Sequence, residues 1–343
     1  MTDDTTTDGT TADDTTTDGT TADDTTTDGT TADGTTADGT TTGTGLTVAV
    51  LGPGGVGGLL AALLARAGHR VICLAGEETA HALRTDGLRV RSGLFGDFTA
   101  RVEAGTTLRE PVDACLIAVK HTALDAALAR VPAAALGDGL LVPFLNGVEH
   151  PAALRARYRP GQVAPAVIRV ESTRVAPGVI DHGSPFAEID LAGSPAPVPR
   201  TRLDPLAAAL SAAGPVTRVV EDETAALWAK MSFLAPLALL TTRYGLPLGA
   251  VRDRHRDELT ALVEETAAVS RACGGPADPA QALARYDAFP PQTRSSMQRD
   301  AESGRPLELD AIGGALLRAA ERHGVPVPVT ARVVRELRDA VRR

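Results

Sequence analysis

The chain carries 34 basic residues, and only Lys120 and Lys230 among them are lysine. Asn146 is its single asparagine. A composition this biased uses arginine wherever a positive charge is enough. A lysine that remains points to a task a guanidinium cannot perform. An ammonium can lose its proton and presents a compact charge, whereas arginine stays protonated and forked. A half-buried lysine facing a reactive carbonyl suits general-acid work, because desolvation lowers its pKa toward the working range.

The second chemical signal is a glycine pattern. Gly52, Gly54 and Gly57 form G-x-G-x-x-G within Gly52-Pro53-Gly54-Gly55-Val56-Gly57. The pattern directly follows the apolar run 46–51 and opens an apolar helical stretch at 59–67. In that context it reads as a dinucleotide-binding turn. Gly52 permits the tight turn, Gly54 lets backbone N–H groups approach a pyrophosphate, and Gly57 allows close helix–strand packing. Glu77 lies twenty residues beyond Gly57, the distance at which a carboxylate reads a ribose 2′-hydroxyl. Lys120 ends one predicted strand and Asn146 the next. Ligands of open α/β sheets bind at the carboxyl ends of strands, so both should face the crevice that the glycine loop faces.

The elements that must position these residues follow from periodicity. Strands are expected at 46–51, 70–74, 88–91, 113–119, 139–143 and 163–170, with helices at 59–67, 77–84, 123–130 and 150–158 between several of them. Such alternation predicts a doubly wound sheet. After about residue 220 the pattern changes, and 221–242, 255–273, 280–288, 309–323 and 330–342 all read as helices. The expected organisation is a Rossmann dinucleotide-binding domain at 46–220 and a helical substrate and catalytic domain at 221–343. Lys230 lies within the first helix of that second domain.

Residues 1–45 contain eleven Asp and no Glu, Lys or Arg. Positions 1–40 repeat a ten-residue Thr/Asp/Gly unit with almost no apolar surface, so a disordered tail is expected. The remaining residues hold 32 acids and 34 bases and are nearly neutral. A near-neutral body with 3% aromatics argues against a nucleic-acid binder, which needs a basic face and stacking rings. Cys73, Cys115 and Cys273 form no CxxC pair and have no His at zinc-ligand spacing, so neither a disulfide framework nor a metal site is expected. The chain starts without a basic, then apolar, secretory signal. Its apolar runs 59–65 and 234–240 are much shorter than the ~18–20 residues a membrane span needs. A cytoplasmic protein with no membrane partner is the expectation, and a homodimer is left open.

Taken together, these residues resemble the ketopantoate reductase family over 46–343. The resemblance rests on the glycine loop, Val119-Lys120, Leu145-Asn146-Gly147-Val148 and the hairpin segment 174–183. It extends through Trp228-Ala229-Lys230, Ser295-Ser296-Met297-Gln298-Arg299-Asp300 and the run from Gly304 to Asp310. It implies an α/β Rossmann-type N-terminal domain plus an all-α C-terminal domain like that of 6-phosphogluconate dehydrogenase. The implied activity is NAD(P)H-dependent reduction of a small 2-oxoacid to a 2-hydroxyacid, 2-dehydropantoate to (R)-pantoate of pantothenate biosynthesis. Position by position, Lys230 would protonate the alkoxide and Glu308 would orient the substrate and Lys230. Lys120 and Asn146 would line the nicotinamide and substrate crevice, and Ser296 would bind the substrate carboxylate. The implied cofactor is NADP(H), held by Gly52, Pro53, Gly54, Gly55, Val56, Gly57, Lys120, Asn146 and Glu308.

Three positions depart from the family pattern. Leu234 and Ala238 stand where the family commonly has asparagines that hold polar groups of the substrate. Gly76 stands where it usually has the arginine that grips the NADP 2′-phosphate. These departures leave a less polar ketoacid or ketone as the alternative substrate and NAD(H) as the alternative cofactor. A non-catalytic dinucleotide sensor is the rival from another class. A sensor needs only the glycine loop, so the joint presence of Lys120, Lys230, Asn146 and Glu308 argues for turnover.

Overall fold

The structure is a computed structural model that describes residues 45–193 and 198–342. The repeat-containing tail, expected at 1–45, lies outside the described residues except for Gly45.

Along the chain run β1 (Thr47–Leu51), α1 (Gly55–Arg66), β2 (Arg70–Leu74), α2 (Glu77–Asp86), β3 (Leu88–Ser92), β4 (Phe98–Ala100), β5 (Glu103–Gly105) and β6 (Ala114–Ile117). They continue with α3 (Leu124–Leu128), α4 (Ala133–Leu136), β7 (Leu140–Pro143), α5 (His150–Arg155), β8 (Ala166–Arg169), β9 (Ser172–Ala176) and β10 (Val179–His182). Then come β11 (Glu188–Ala192), α6 (Arg200–Ala212) and β12 (Val216–Val220). Every later element is helical: α7 (Glu223–Tyr244), α8 (Leu248–Arg254), α9 (Arg256–Ala272), α10 (Pro279–Ala288), α11 (Ser296–Glu302), a π turn (Asp310–Gly314), α12 (Ala315–His323) and α13 (Pro328–Val341).

The main sheet has strand order β5-β2-β1-β6-β7, and all four pairings are parallel. Strand β1 sits at its centre and is buried on both faces. Val48 and Val50 join one apolar cluster, Ala49 and Leu51 another. That two-sided burial explains its unbroken apolar run, since a parallel strand covered on both sides has no solvent face to alternate with. Cys73 and Cys115 are buried on β2 and β6, where desolvation pushes both thiols up to about 12. Cys273 is only partly buried.

Two predicted strands belong elsewhere. Residues 88–92 form β3, in a separate sheet of order β4-β3-β10-β9. Its burial alternates strictly, the mark of a strand with one face open. Residues 166–169 form β8 in a third sheet, β12-β11-β8. The main-sheet edge is instead β5, whose three residues Glu-Ala-Gly carry no apolar run to betray them.

The helical half is organised around α7, which packs against α9, α11 and α13. This 22-residue helix is apolar and long enough to cross a membrane by composition, yet here its buried side chains fill the core of the helical half. It carries Pro236, which has no N–H and breaks the regular ladder. Tyr286 of α10 repairs the next rung. The Leu237 N–H donates to the Tyr286 hydroxyl at 3.2 Å, and that hydroxyl donates to the Phe233 carbonyl. A side-chain oxygen is thus inserted between an i and i−4 pair that would otherwise meet directly. Tyr286→Phe leaves both buried backbone groups short of a partner and should cost about 1–3 kcal/mol. Urea unfolding checks this, and a midpoint equal to wild type would show that the bridge carries no stability.

Candidate active site

The glycine loop leaves β1 at Leu51 and enters α1 at Gly55, with Gly54 as the N-cap. Gly52 has φ +84°, a conformation that L side chains rarely adopt. A Cβ on Gly57 would lie 2.3 Å from the Gly52 carbonyl oxygen and 2.9 Å from Ala118 Cβ, so helix and strand meet too closely for any side chain. Gly54 has only the Gly52 carbonyl oxygen near its missing Cβ, at 4.0 Å, and its outer side is open. The first backbone N–H groups of α1 have no partner within their own helix, and the helix dipole adds to their pull on an anion. Turn, close packing and open approach therefore fall on Gly52, Gly57 and Gly54 respectively. This cradle fits the pyrophosphate of a dinucleotide.

Lys120 lies just beyond β6 and precedes a single 3₁₀ turn at His121–Ala123. Its Nζ is 2.5 Å from Asp300 Oδ2 of α11, an ion pair that crosses between the two halves. The buried Asp300 also accepts from Arg305 Nε at 2.9 Å. Asn146 follows β7 in the next loop. Its neighbour Gly147 has φ +92°, and a Cβ there would lie 2.5 Å from the Ala311 carbonyl oxygen in the π turn. This glycine lets the Asn146 loop close onto the helical half.

Glu308 stands immediately before that π turn and is buried. Its Oε1 accepts the His121 backbone N–H at 2.8 Å, and its Oε2 accepts Asn146 Nδ2 at 2.9 Å. One carboxylate from the helical half therefore ties together the loops after two adjacent sheet strands.

Lys230 lies in α7, two turns from its start, and is half-buried. Among the described residues it makes no hydrogen bond and no ion pair. Desolvation pushes its pKa down to about 8; the Glu308 charge opposes that fall and Arg169 reinforces it. An ammonium of this kind is protonated near neutrality yet gives up its proton readily. His150 contributes to the same surroundings. It is fully enclosed, and burial first, then Lys230, His121 and Arg155, push its pKa down to about 3. It is therefore a neutral imidazole.

Ser296 is exposed on the first turn of α11. Its neighbour Ser295 is the structural one, capping α11 through the Gln298 N–H and meeting Thr241 Oγ1 at 2.8 Å. Leu234 is partly buried against the helical core and Ala238 is wholly buried within it. Neither offers a polar group.

One expectation is corrected. Glu77 does not face the ribose end of the crevice. Its carboxylate pairs with Arg84 Nη2 at 2.7 Å and lines a neighbouring hollow with Glu103 and Glu110. Position Glu77 opens α2, and its side chain follows the helix surface to the arginine seven residues on.

Asp300, the partner of Lys120, carries no signal of that role in the sequence beyond its place in the segment 295–300. His150 and Arg169 carry none either, because their proximity to Lys230 depends on how the halves meet.

A parallel sheet with a glycine turn at its centre, facing a helical half that supplies a lysine and a carboxylate, defines a Rossmann-type oxidoreductase. The family model described as "Ketopantoate reductase PanE/ApbA" matches residues 48–192, and that of its C-terminal domain matches 222–341. The chain belongs to the ketopantoate reductase family. It is 30% identical over 300 residues to a 2-dehydropantoate 2-reductase of Caulobacter vibrioides, covering 86% of this chain and 99% of that one. It is likewise 30% identical over 291 residues to the uncharacterized oxidoreductase YkpB of Bacillus subtilis, covering 82% and 94%. A solved PanE/ApbA family ketopantoate reductase from Ralstonia eutropha superposes with a TM-score of 0.76 at 30% identity, over 87% of this chain and all of that one.

With only two lysines, the site can be titrated directly. After reductive ¹³C-methylation, the NMR resonance that Lys230→Arg removes should titrate near pH 8. Glu308→Gln should move that midpoint lower, because the carboxylate favours the charged amine. A midpoint at the ordinary lysine value would contradict the desolvated environment described above.

Proposed function

We propose that the chain reduces a 2-oxoacid to a 2-hydroxyacid with a nicotinamide dinucleotide, and that the substrate is 2-dehydropantoate, giving (R)-pantoate. The observation that carries this reading is Lys230, a desolvated lysine within the field of a carboxylate that itself binds Asn146. A bound nicotinamide dinucleotide supplies the hydride. Lys230 donates its proton to the carbonyl oxygen as negative charge builds there, which removes the cost of a free alkoxide. Glu308 keeps Lys230 charged until that moment and fixes Asn146 against the crevice. Ser296 offers a hydroxyl to the substrate carboxylate, and Lys120, paired with Asp300, lines the crevice with Asn146. The Caulobacter relative, named for this reaction and matched over nearly its whole length, supports the choice of substrate.

A second reading has its own observation. Leu234 and Ala238 present no amide, so a substrate hydroxyl placed there would lack partners, at about 1–3 kcal/mol per buried unpaired group. A less polar 2-oxoacid would not incur that cost. Comparing kcat/KM for ketopantoate and for its analogue without the 4-hydroxyl separates the two. The first reading expects the hydroxylated substrate to be favoured, and a preference for the analogue transfers the assignment to the second.

Lys230→Ala should lower turnover by roughly 10²–10⁴-fold while dinucleotide binding is retained. The acid form of Lys230 is the working form in reduction. Turnover should therefore be full below about pH 8 and fall as pH rises through it, while the reverse oxidation, which needs the neutral amine, rises over the same interval. A Lys230→Ala enzyme with wild-type turnover, or a flat profile across that interval, would remove Lys230 from the chemistry.

A further inference from the structure

We propose that His121 and His150 relay protons from the surface to Lys230 and so restore its ammonium after each turnover. The inference rests on the reading of Lys230 as proton donor and concerns how that donor is refilled.

Each reduction leaves Lys230 as a neutral amine that must regain a proton. Few groups around it could supply one. Glu308 acts on it as a charge, and both of its oxygens already accept hydrogen bonds. Arg169 also acts on it, but a guanidinium does not give up its proton. Lys120 is committed to Asp300. The remaining kind of group is an imidazole, which can give a proton at one nitrogen and take one at the other. His150 supplies it, being 1% exposed and in the field of Lys230, His121 and Arg155.

The helices place it there. Glu223, Leu227 and Lys230 follow one another at spacings of four and three residues and share a face of α7. Arg155 of α5 holds Glu223 through two hydrogen bonds, at 2.8 and 2.5 Å. His150 opens the same short helix about a turn and a half before Arg155. This pairing lays α5 against the first turns of α7. His121 is fixed in the same neighbourhood, because its backbone N–H donates to Glu308 Oε1.

The side chains are free for the task. Among the described residues, seven enclosed side-chain polar atoms have no hydrogen-bond partner, and three of them are His121 Nδ1 and the two ring nitrogens of His150. His121 is partly exposed, so it joins the enclosed imidazole to solvent. Lys230 is held by no hydrogen bond or ion pair among the described residues. Its four-carbon stem can swing between the substrate carbonyl and His150. In the transfer, a His150 N–H bond breaks as its proton joins the amine lone pair. The other His150 nitrogen takes the proton of a His121 imidazolium, which has drawn it from solvent. Burial disfavours a charged His150, so the two transfers are coupled and the ring stays neutral. A half-turn of the ring restores the starting tautomer.

The test separates the first turnover from later ones, because the first uses a proton already on Lys230. With enzyme in excess over dinucleotide, near neutral pH, His150→Ala should oxidise the nicotinamide at the wild-type rate. With substrate in excess its kcat should fall about 10²-fold, and added imidazole should restore much of the loss. His121→Gln, on the partly exposed end, should show the same steady-state loss and the same response, and carries the test where His150→Ala does not fold. A variant whose steady state equals wild type overturns the relay. So does a first turnover slowed as much as the later ones, or a loss of kcat that imidazole leaves unchanged. Wild-type enzyme that oxidises neither NADPH nor NADH, with ketopantoate or with its analogue without the 4-hydroxyl, overturns instead the reduction on which the relay stands.

Discussion

The arrangement of the site depends on one buried carboxylate. Glu308 leaves the helical half and finds its two donors on the α/β half, the His121 backbone N–H and the Asn146 amide. A buried carboxylate with an unmatched oxygen is costly, whereas one with a donor on each oxygen is stable. The loops after β6 and β7 must therefore sit where both donors reach it. Those loops begin at strand ends of a parallel sheet, so their positions follow from the sheet register. The same charge also acts on Lys230 and limits how far desolvation can lower its pKa.

Other polar contacts cross the same seam. Lys120 meets Asp300, Arg299 meets Glu171, Arg318 meets Glu149 and Arg155 meets Glu223. Most involve arginine with at least partial exposure and contribute modestly one by one. The Lys120–Asp300 pair differs because its carboxylate is buried and is also held by Arg305. Both lysines of the chain thus lie near a buried carboxylate of the helical half, Asp300 for Lys120 and Glu308 for Lys230.

Much of this was legible in the sequence where a local pattern forces a local structure. The run 46–51 reads as a buried strand, and the glycines directly after it read as a dinucleotide-binding turn. The rarity of lysine marked Lys120 and Lys230 without any fold. The helical second half followed from periodicity alone. What stayed hidden was set by distant contacts. The strands β3 and β8 were recognisable as strands, but which sheet receives them depends on partners about 90 and about 20 residues away. The edge strand β5 is held by pairing with β2 and has no pattern of its own. Glu77 stood at the expected spacing, yet its exposed carboxylate pairs with Arg84 on the surface of α2. Asp300 and His150 acquire meaning only once the two halves are docked.

Gly147 shows how that docking is enforced. With no side chain, it lets its backbone meet the Ala311 carbonyl, so this part of the seam is made by main-chain atoms. Main-chain contacts make no demand on the identity of neighbouring residues. Substitutions elsewhere along the seam can therefore occur while the two halves keep their registration. A joint of this type holds the halves together by backbone shape, so it is lost by adding a side chain at Gly147 and spared by changes in the side chains around it.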